Sequence, residues 1–293
     1  MALHRHREEF VQHLEGKGRS KSTIVAYNKD IEQLISFLDE LQHSGLPQDL
    51  TTGILEAYVD KLKQEGNYTL KTVSRKINSL KTFSKYLANQ GLIVSDVAAP
   101  ISHPEFTPQL PRVLSPLEYR ALRDTARSNV RLYTMVELLL QTGIRIGELS
   151  RLKRAHVKLD NPHIYIEPFS SNPERVVDLN ERAVESIAQY FEEHQHIRDA
   201  ENDQLHMFQT KTGNPVLIRN IRTAINRAFR KAGIKGATVN DIRNTFIVYQ
   251  LESGIDLERL AQIVGHQKPT TTEKYLELVE SRPDKTSHKI EPL

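Results

Sequence analysis

The chain has 293 residues, 38% of them apolar, which is enough for one large domain or two ordinary domains with hydrophobic cores. It contains no cysteine, so disulfides, thiol catalysis and cysteine-ligated zinc are excluded, and its net charge of +3 slightly favours an anionic partner. No segment reaches the roughly 18–20 apolar residues of a membrane span, and the charged start MALHRHREEF is unlike a signal peptide. We therefore expect a cytoplasmic protein without a membrane partner.

Residues 1–99 carry apolar side chains at helical spacing. Apolar positions three and four apart recur on one face, which is typical of helices that pack around a core. The clearest faces contain Ile24, Tyr27, Ile31, Leu34, Ile35 and Leu38; Ile54, Tyr58 and Leu62; and Val73, Ile77, Leu80, Phe83 and Leu87. This pattern predicts an all-helical N-terminal domain of about four helices.

The stretch KTVSRKINSLKTFSK, residues 71–85, is basic and contains no acidic residue. Its cations are Lys71, Arg75, Lys76, Lys81 and Lys85. A charge run is usually only the solvated face of a helix, but such a face normally alternates Glu with Lys. The missing acids favour a helix that follows a phosphate backbone, so these cations are predicted to contact DNA.

A proline-rich segment, PISHPEFTPQLPRVLSP, occupies residues 100–116. Because proline is excluded from helix interiors, this segment predicts an extended, semi-rigid linker. The predicted domains are therefore residues 1–99 and 117–293. The linker ends in SPLE, in which a serine cap, a proline and a glutamate three residues after the serine predict a helix that begins at Pro116.

The C-terminal part is mainly helical with one interruption. HIYIEPF and ERVVDL, at 163–169 and 174–179, alternate apolar and polar residues on either side of a turn, which predicts a β-hairpin. We therefore expect a mainly α protein with a helical N-terminal domain and a mixed α+β C-terminal domain containing a small hairpin or sheet. A second basic helix without acids, RNIRTAINRAFRKAG, makes Arg219 and Arg222 further candidates for DNA contact.

Two arginines lie close to helix ends, where side chains can meet in a cleft. Arg145 follows an apolar run in LLLQTGIRIGEL, and Glu148 comes one helical turn later. This spacing also suits an ordinary ion pair. Arg243 lies near the start of a helix that either Thr238 or Asn240 could cap, and a helix N-terminus suits an anionic oxygen.

Two further groups lie at later helix ends. The helix DLERLAQIV is predicted to stop at Gly265, with His266 directly after it. The sequence TTTE at 270–273 predicts a capping box that opens a last helix containing Tyr275. The two arginines, the histidine and the tyrosine are thus all expected at element ends facing a common cleft.

The order of these motifs, TGIRIGEL, an arginine at a helix start, VGH and a tyrosine nine residues later, resembles the tyrosine recombinase (phage integrase) family in its two-domain, Xer- or Cre-like form. The resemblance covers nearly the whole chain. It implies that Tyr275 is a nucleophile that cuts DNA as a 3′-phosphotyrosine ester, without metal, ATP or other cofactor. It also implies that Arg145, Arg243 and His266 bind the phosphate and that Glu148 supports them.

The hairpin turn departs from the family pattern. Where the family has a lysine that protonates the leaving 5′ oxygen, this chain has Ser170, and Arg175 is the nearest cation along the sequence. Lys211, in the glycine turn TKTGNP, is the first candidate for the general acid, and Lys158 is the second.

The helix-opening box departs as well. The family pattern reads roughly His-x-Leu-Arg-His, whereas this chain has Asn240 and Asn244 in the two histidine positions. Asparagine can donate a hydrogen bond but cannot act as acid or base. Asn240 is kept as a catalytic candidate because it occupies the family's first histidine position.

The resemblance also implies partners. The expected substrate is duplex DNA with inverted-repeat core sites, around which the two domains close. Strand exchange between two duplexes needs four protomers, so we expect a homotetramer in the synaptic complex and a monomer in solution. The tail after Tyr275 is a candidate tether to a neighbouring subunit.

Several alternatives stay open. Resolution of DNA dimers, resolution of transposon cointegrates, and integration or excision all fit the two-domain layout. A catalytically degenerate paralogue that binds DNA without cutting it is the main competing function, favoured by the missing lysine. A topoisomerase with the same tyrosine chemistry is a third, which the compact two-domain length disfavours.

Overall fold

The structure is a computed structural model that describes residues 2–107, 109–170, 172–199, 202–210 and 212–280. The chain divides into two compact units, Met1–Pro108 and Gln109–Leu293, and the division falls inside the segment predicted as the linker. Within the described ranges, no helix is both long enough and apolar enough to cross a bilayer.

The N-terminal unit is a helical bundle, as the apolar spacing predicts. Its helices are α1 (Ala2–Gly16), α2 (Lys21–Glu40), α3 (Thr52–Gln64) and α4 (Leu70–Asn89). Ser20, Thr51 and Thr69 cap the last three, each accepting the backbone N–H three residues later. The first helix joins the core through Phe10, whose ring meets that of Phe83 edge to face at 5.1 Å between centroids.

One residue of the basic stretch lies inside this bundle. Asp30 of α2 is buried, and its carboxylate accepts hydrogen bonds of 2.5–2.9 Å from Arg75, Lys76 and Ser79 of α4. Burial alone would raise the pKa of Asp30, but these donors lower it. Lys76 is only 3% exposed. The structure therefore contradicts the DNA contact predicted for Lys76, because an acid from another helix neutralises its charge in the core.

The C-terminal unit is mainly helical. Its helices are α5 (Pro116–Ala126), α6 (Val130–Thr142), α7 (Ile146–Arg151), α8 (Glu181–Glu193), α9 (Gln195–Arg198), α10 (Ile218–Lys231), α11 (Val239–Glu252), α12 (Leu257–Val264), α13 (Thr270–Glu273) and α14 (Leu276–Glu280). The predicted start of α5 is confirmed, since Ser115 and Glu118 form the capping box. Thr238, rather than Asn240, precedes α11 as its cap residue.

A small antiparallel sheet interrupts the helices. Its strands are β1 (Val157–Lys158), β2 (His163–Ile166) and β3 (Arg175–Asp178), in the order β1-β2-β3. The predicted hairpin of β2 and β3 is confirmed, although both strands are shorter than the alternating sequence. The sequence did not predict β1, because two residues are too few to show an alternating pattern.

Helix α6 is the centre of the C-terminal core and positions the first arginine. It packs against α8 and α11, and Leu138, Leu139 and Leu140 are at most 1% exposed, which explains the unbroken apolar run. The helix ends at Gly143, where φ is +60° and an added Cβ would lie 2.3 Å from the ring of Phe246. The backbone can therefore turn sharply between α6 and α7, where Arg145 lies.

The last helix differs from its prediction. Pro269, not a threonine, precedes α13, and it makes no side-chain cap. Helix α13 ends after one turn, and Tyr275 lies between α13 and α14 instead of inside one continuous helix. The reason is tertiary: Thr272 is buried, and its hydroxyl binds His266. The predicted capping box is therefore wrong.

Candidate active site

The carboxyl end of α12 collects arginine side chains. Arg145, the residue before α7, donates from Nη2 to the carbonyl oxygen of Gly265 at 2.6 Å and from Nη1 to that of Val264 at 3.4 Å. Arg175 of β3 donates from Nε to the carbonyl oxygen of Ile263 at 2.7 Å. The last carbonyls of a helix have no partners within it and carry partial negative charge, so they suit cations.

Arg243 of α11 completes the group from a second direction. Its Nη2 donates to the carbonyl oxygen of Val264 at 2.7 Å, and its Nη1 donates to that of Gly143 at the end of α6. Burial, together with the nearby charge of Arg145, lowers the pKa of Arg243 to about 9. The guanidinium is therefore still charged at pH 7, and the carboxyl ends of two helices hold it in place.

Glu148 ties two of these arginines together. Its carboxylate accepts two hydrogen bonds from Arg175, at 2.8 and 2.9 Å, and one of 3.0 Å from Arg145 Nη1. It also accepts the backbone N–H of Arg145 at 2.7 Å. Burial alone would raise the pKa of Glu148, but the arginines lower it to about 2. The predicted support of Arg145 by Glu148 is present as a contact, with Arg175 as an additional partner.

Gly265 allows the two guanidiniums to approach the helix end. Its φ is +68°, and an added Cβ would lie 2.9 Å from Arg175 Nη1 and 3.2 Å from Arg145 Nη1. A side chain here would be strained in the backbone and would displace one or both arginines. Gly265 therefore ends α12, as the residue directly after it, and leaves room for the two guanidiniums.

His266 follows directly, as predicted. Its Nδ1 and the Thr272 hydroxyl are 2.8 Å apart, which fixes the ring and leaves Nε2 for a ligand. Burial, together with the charges of Arg243 and Arg145, lowers the pKa of His266 to about 3. The ring is therefore neutral at pH 7, and it can donate a hydrogen bond from Nε2 when the Nδ1 atom acts as the acceptor.

Tyr275 lies beside this histidine. The two rings are nearly parallel, at 11°, with centroids 6.5 Å apart. Tyr275 is 4% exposed, and its hydroxyl donates to Oδ1 of Asn244 at 2.8 Å. Burial raises the pKa of Tyr275, although Arg243 opposes the change. Asn244 in turn donates to the carbonyl oxygen of Arg112, which fixes its side chain.

Other predicted site residues are placed less centrally. Asn240 is exposed in the first turn of α11 and makes no side-chain hydrogen bond to the described arginines. Lys211 lies outside the described residues. Lys158 pairs with His163 at the end of β2 remote from the turn, and seven residues at about 3.3 Å each separate His163 from Ser170. Lys158 is therefore too far from the turn to replace a lysine there.

The predicted DNA-binding residues fall on two helices. Lys71, Arg75 and Lys85 are exposed on α4, although the guanidinium of Arg75 is bound by Asp30. Lys81 is half-buried and donates to the carbonyl oxygen of Ala99 at 3.2 Å. Arg219 and Arg222 are exposed on α10. Sequence reasoning missed Arg175 and Asn244 as site residues, because their partners are distant along the chain.

The cluster is an anion site next to a phenol. Two guanidiniums bind a single carboxylate and a third binds the same helix end, so the group has excess positive charge, and a neutral imidazole and Tyr275 lie alongside. Within the part of the chain that the structure describes, no group of His, Asp and Glu is arranged to hold a metal ion. Arginines that can bind an anion and a tyrosine that can act as a nucleophile are the side chains that proteins acting on phosphodiesters combine in one site.

Comparison with known families identifies the class more closely. Residues 112–282 match the model described as "Phage integrase family", and residues 8–91 match "Phage integrase, N-terminal SAM-like domain". The chain belongs to the phage integrase family, the tyrosine recombinases.

Individual relatives agree with this assignment. The chain is 29% identical over 277 residues to a protein named Tyrosine recombinase XerC from Lactobacillus delbrueckii subsp. bulgaricus, covering 92% of both chains. It is 28% identical over 265 residues to a protein of the same name from Staphylococcus epidermidis, covering 87% of this chain and 86% of the relative.

Solved structures show the same fold. The crystal structure of XerA recombinase is 28% identical, covers 93% of both chains and has a TM-score of 0.53. A lambda integrase tetramer bound to a Holliday junction is 19% identical, with 99% of this chain and 80% of that chain covered and a TM-score of 0.76. The similarity to lambda integrase shows a shared fold, and its TM-score is higher than that of XerA recombinase.

Proposed function

We propose that the protein is a site-specific DNA recombinase that cuts and rejoins duplex DNA through a 3′-phosphotyrosine intermediate. The observation that carries the proposal is the convergence of Arg145, Arg243 and His266 at the end of α12, next to Tyr275. The XerC relatives support it, since they are named tyrosine recombinases.

In this reaction Tyr275 Oη attacks the scissile phosphorus. Arg145 and Arg243 donate to the nonbridging oxygens and neutralise the charge that grows in the transition state, which is worth about 10²-fold or more per donor. Nε2 of His266 supplies a further hydrogen bond. In the described state the phenol proton is bonded to Asn244, so the attack requires release of this proton, which a raised pKa disfavours until phosphate is bound.

DNA binding is assigned to the exposed cations of the two basic helices. Lys71 and Lys85 on α4 and Arg219 and Arg222 on α10 are the cations proposed to neutralise backbone phosphates, since the charge of Arg75 is already paired with Asp30. We propose that the two units close around duplex DNA at inverted-repeat sites. The Holliday-junction tetramer of lambda integrase supports four protomers per recombination complex. Resolution of DNA dimers or transposon cointegrates is the proposed task, with integration or excision as the alternative.

The test is covalent capture. Wild-type protein is incubated with fragmented DNA from the source organism, and complexes that survive detergent are sequenced to find the site. Tyr275→Phe should bind the same site and give no covalent complex, because the nucleophilic oxygen is removed. Tyr165→Phe, which removes an exposed phenol bonded to Glu174, is the matched control and should cut normally.

The outcome that contradicts the proposal is equally direct. A wild-type protein that binds its site tightly and forms no covalent complex, even on a nicked duplex that traps the cleaved state, would be the degenerate DNA-binding paralogue.

A further inference from the structure

A fourth arginine lies close to the cluster and makes none of its hydrogen bonds. Arg151 is the last residue of α7, six residues after Arg145. An ideal Cβ at Gly147 would lie 3.4 Å from Arg151 Nη1, so the guanidinium folds back over the first turn of α7. This is the turn that begins directly after Arg145 and contains Glu148. Arg151 therefore brings its charge back toward the candidate active site.

The hairpin turn holds the same guanidinium. Its central carbon lies 3.7 Å from the centroid of the Phe169 ring, a close stacking distance. Phe169 and Asn172 exchange two backbone hydrogen bonds of 3.0 Å, which close the turn next to Ser170. Ser170 has a φ of +56° and no ionisable group. Among the described residues, Arg151 thus presents a cation at this turn, on a side chain from another element.

No described residue accepts a hydrogen bond from the donors of Arg151. Among the described residues it forms no ion pair either, although it is half-buried. The two carboxylates that influence it, Glu148 and Glu167, are already bound, the first by Arg145 and Arg175 and the second by Lys153 at 2.6 Å. A half-buried guanidinium without partners is costly unless water or a ligand accepts its hydrogen bonds.

We propose that Arg151 is a catalytic residue that donates hydrogen bonds to the leaving 5′ oxygen of the scissile phosphodiester. This inference rests on the proposed recombinase function and adds a residue to it. Arg145, Arg243 and Arg175 hold the end of α12, whereas Arg151 approaches from the hairpin side of α7. Arginines at the end of α12 and Arg151 at the hairpin would lie on different sides of the phosphorus. This suits in-line displacement, in which the attacking and leaving oxygens lie opposite each other.

The step balances without a further reagent. As Tyr275 Oη bonds to phosphorus, the bond from phosphorus to the 5′ oxygen breaks and its electron pair goes to that oxygen. The phenol gives its proton to water, and the 5′ oxygen takes a proton from water. Arg151 stays charged throughout and stabilises the negative charge on the 5′ oxygen until that proton arrives.

A sulfur substitution tests this assignment. The substrate is a nicked suicide duplex of the captured site, made once with the normal 5′ oxygen and once with a bridging 5′ sulfur, whose thiolate leaves without stabilisation. Arg151→Met keeps an unbranched side chain on Phe169 and removes the charge. It should slow cleavage of the oxygen substrate by at least about 10²-fold and cleave the sulfur substrate within about tenfold of wild type.

Two variants provide controls. Arg154→Met removes another arginine that stacks on a phenylalanine, with its central carbon 4.6 Å from the Phe191 ring, and should leave both rates unchanged. Arg145→Ala should lose activity on both substrates, because sulfur at the bridging position does not relieve a lost contact to nonbridging oxygens.

The results separate the possibilities. Wild-type cleavage of the oxygen substrate by Arg151→Met, or an equal loss on both substrates, would overturn the role of Arg151. If wild type cuts neither substrate, the proposed recombinase function fails instead, and this inference fails with it. Should Arg151→Met unfold, Arg151→Gln, which also removes the charge, replaces it: a loss on the oxygen substrate that sulfur restores supports the role, and unchanged or equally reduced rates contradict it.

Discussion

At the scale of single residues, Glu148 determines how the site responds to pH. Its pKa is lowered to about 2 from an ordinary 4.5, because two arginines bind the ionised form. A lowered pKa means that the charged carboxylate stabilises the fold above about pH 4.5 and that this contribution disappears as the pH falls toward 2. The depression corresponds to roughly 3 kcal/mol.

We expect Glu148→Gln to unfold at lower urea concentration than wild type at pH 7, with a loss of roughly 3 kcal/mol, since two partly buried guanidiniums lose their counter-charge. The difference between the two proteins should shrink as the pH is lowered from 5 to 3. Urea titrations followed by circular dichroism at several pH values measure both quantities. Glu277→Gln, at an exposed position on α14, is the control. A destabilisation that is constant with pH would contradict the ion-pair explanation.

At the scale of elements, helices α4 and α12 bind charges in different ways. On α4, Lys71 and Lys85 are exposed, while Lys76 is neutralised by Asp30 of α2. Only the outward face is available to a phosphate backbone. Helix α12 binds cations with its backbone instead, since the carbonyl oxygens at its carboxyl end accept hydrogen bonds from three arginines.

The outward face of α4 gives a measurable salt effect. Lys71→Ala combined with Lys85→Ala should weaken binding to duplex DNA and reduce the slope of log K against log salt by roughly two, about 0.9 for each lost phosphate contact. Lys61→Ala with Lys63→Ala removes the same charge from α3, where both lysines pair with carboxylates, and should leave the slope nearly unchanged. Equal slopes for wild type and the α4 double variant would rule out this face as a DNA contact.

At the scale of the whole molecule, recombination requires several copies to assemble. The predicted tether is the tail after Tyr275, of which residues 281–293, with Ile290, Pro292 and Leu293, lie outside the described residues. An apolar end on a polar segment suits docking on the next subunit of a closed ring. A frayed terminus without function is the ordinary alternative.

Truncation after Val279 should leave single-site cleavage within about threefold of wild type and reduce recombination between two sites at least about tenfold, because only assembly needs the neighbour. Gel analysis of synaptic complexes and of recombinant products measures these two effects. Lys285→Ala with Lys289→Ala, which keeps the apolar end, is the control. Full recombination by the truncated protein would show that the tail is not a tether.

Local patterns in the sequence were sufficient for most helices, the hairpin and the positions of Arg145, Arg243 and His266 near helix ends, but not for the place of Tyr275 between two short helices. Apolar spacing, proline and capping residues act within a few residues of one another, so their effects can be read directly along the chain. The start of α5 and the end of α12 at Gly265 are examples.

The tertiary structure decided which charges meet. Arg175 binds Glu148 across 27 positions, Asn244 accepts the hydroxyl of Tyr275 across 31, and Lys76 reaches Asp30 across 46. Hydrogen bonds and ion pairs depend on distance in space, and a sequence pattern carries no signal for such pairs when the partners lie on separate elements. For the same reason Arg151 could not be distinguished from an ordinary helix-end arginine until the fold placed it against Phe169.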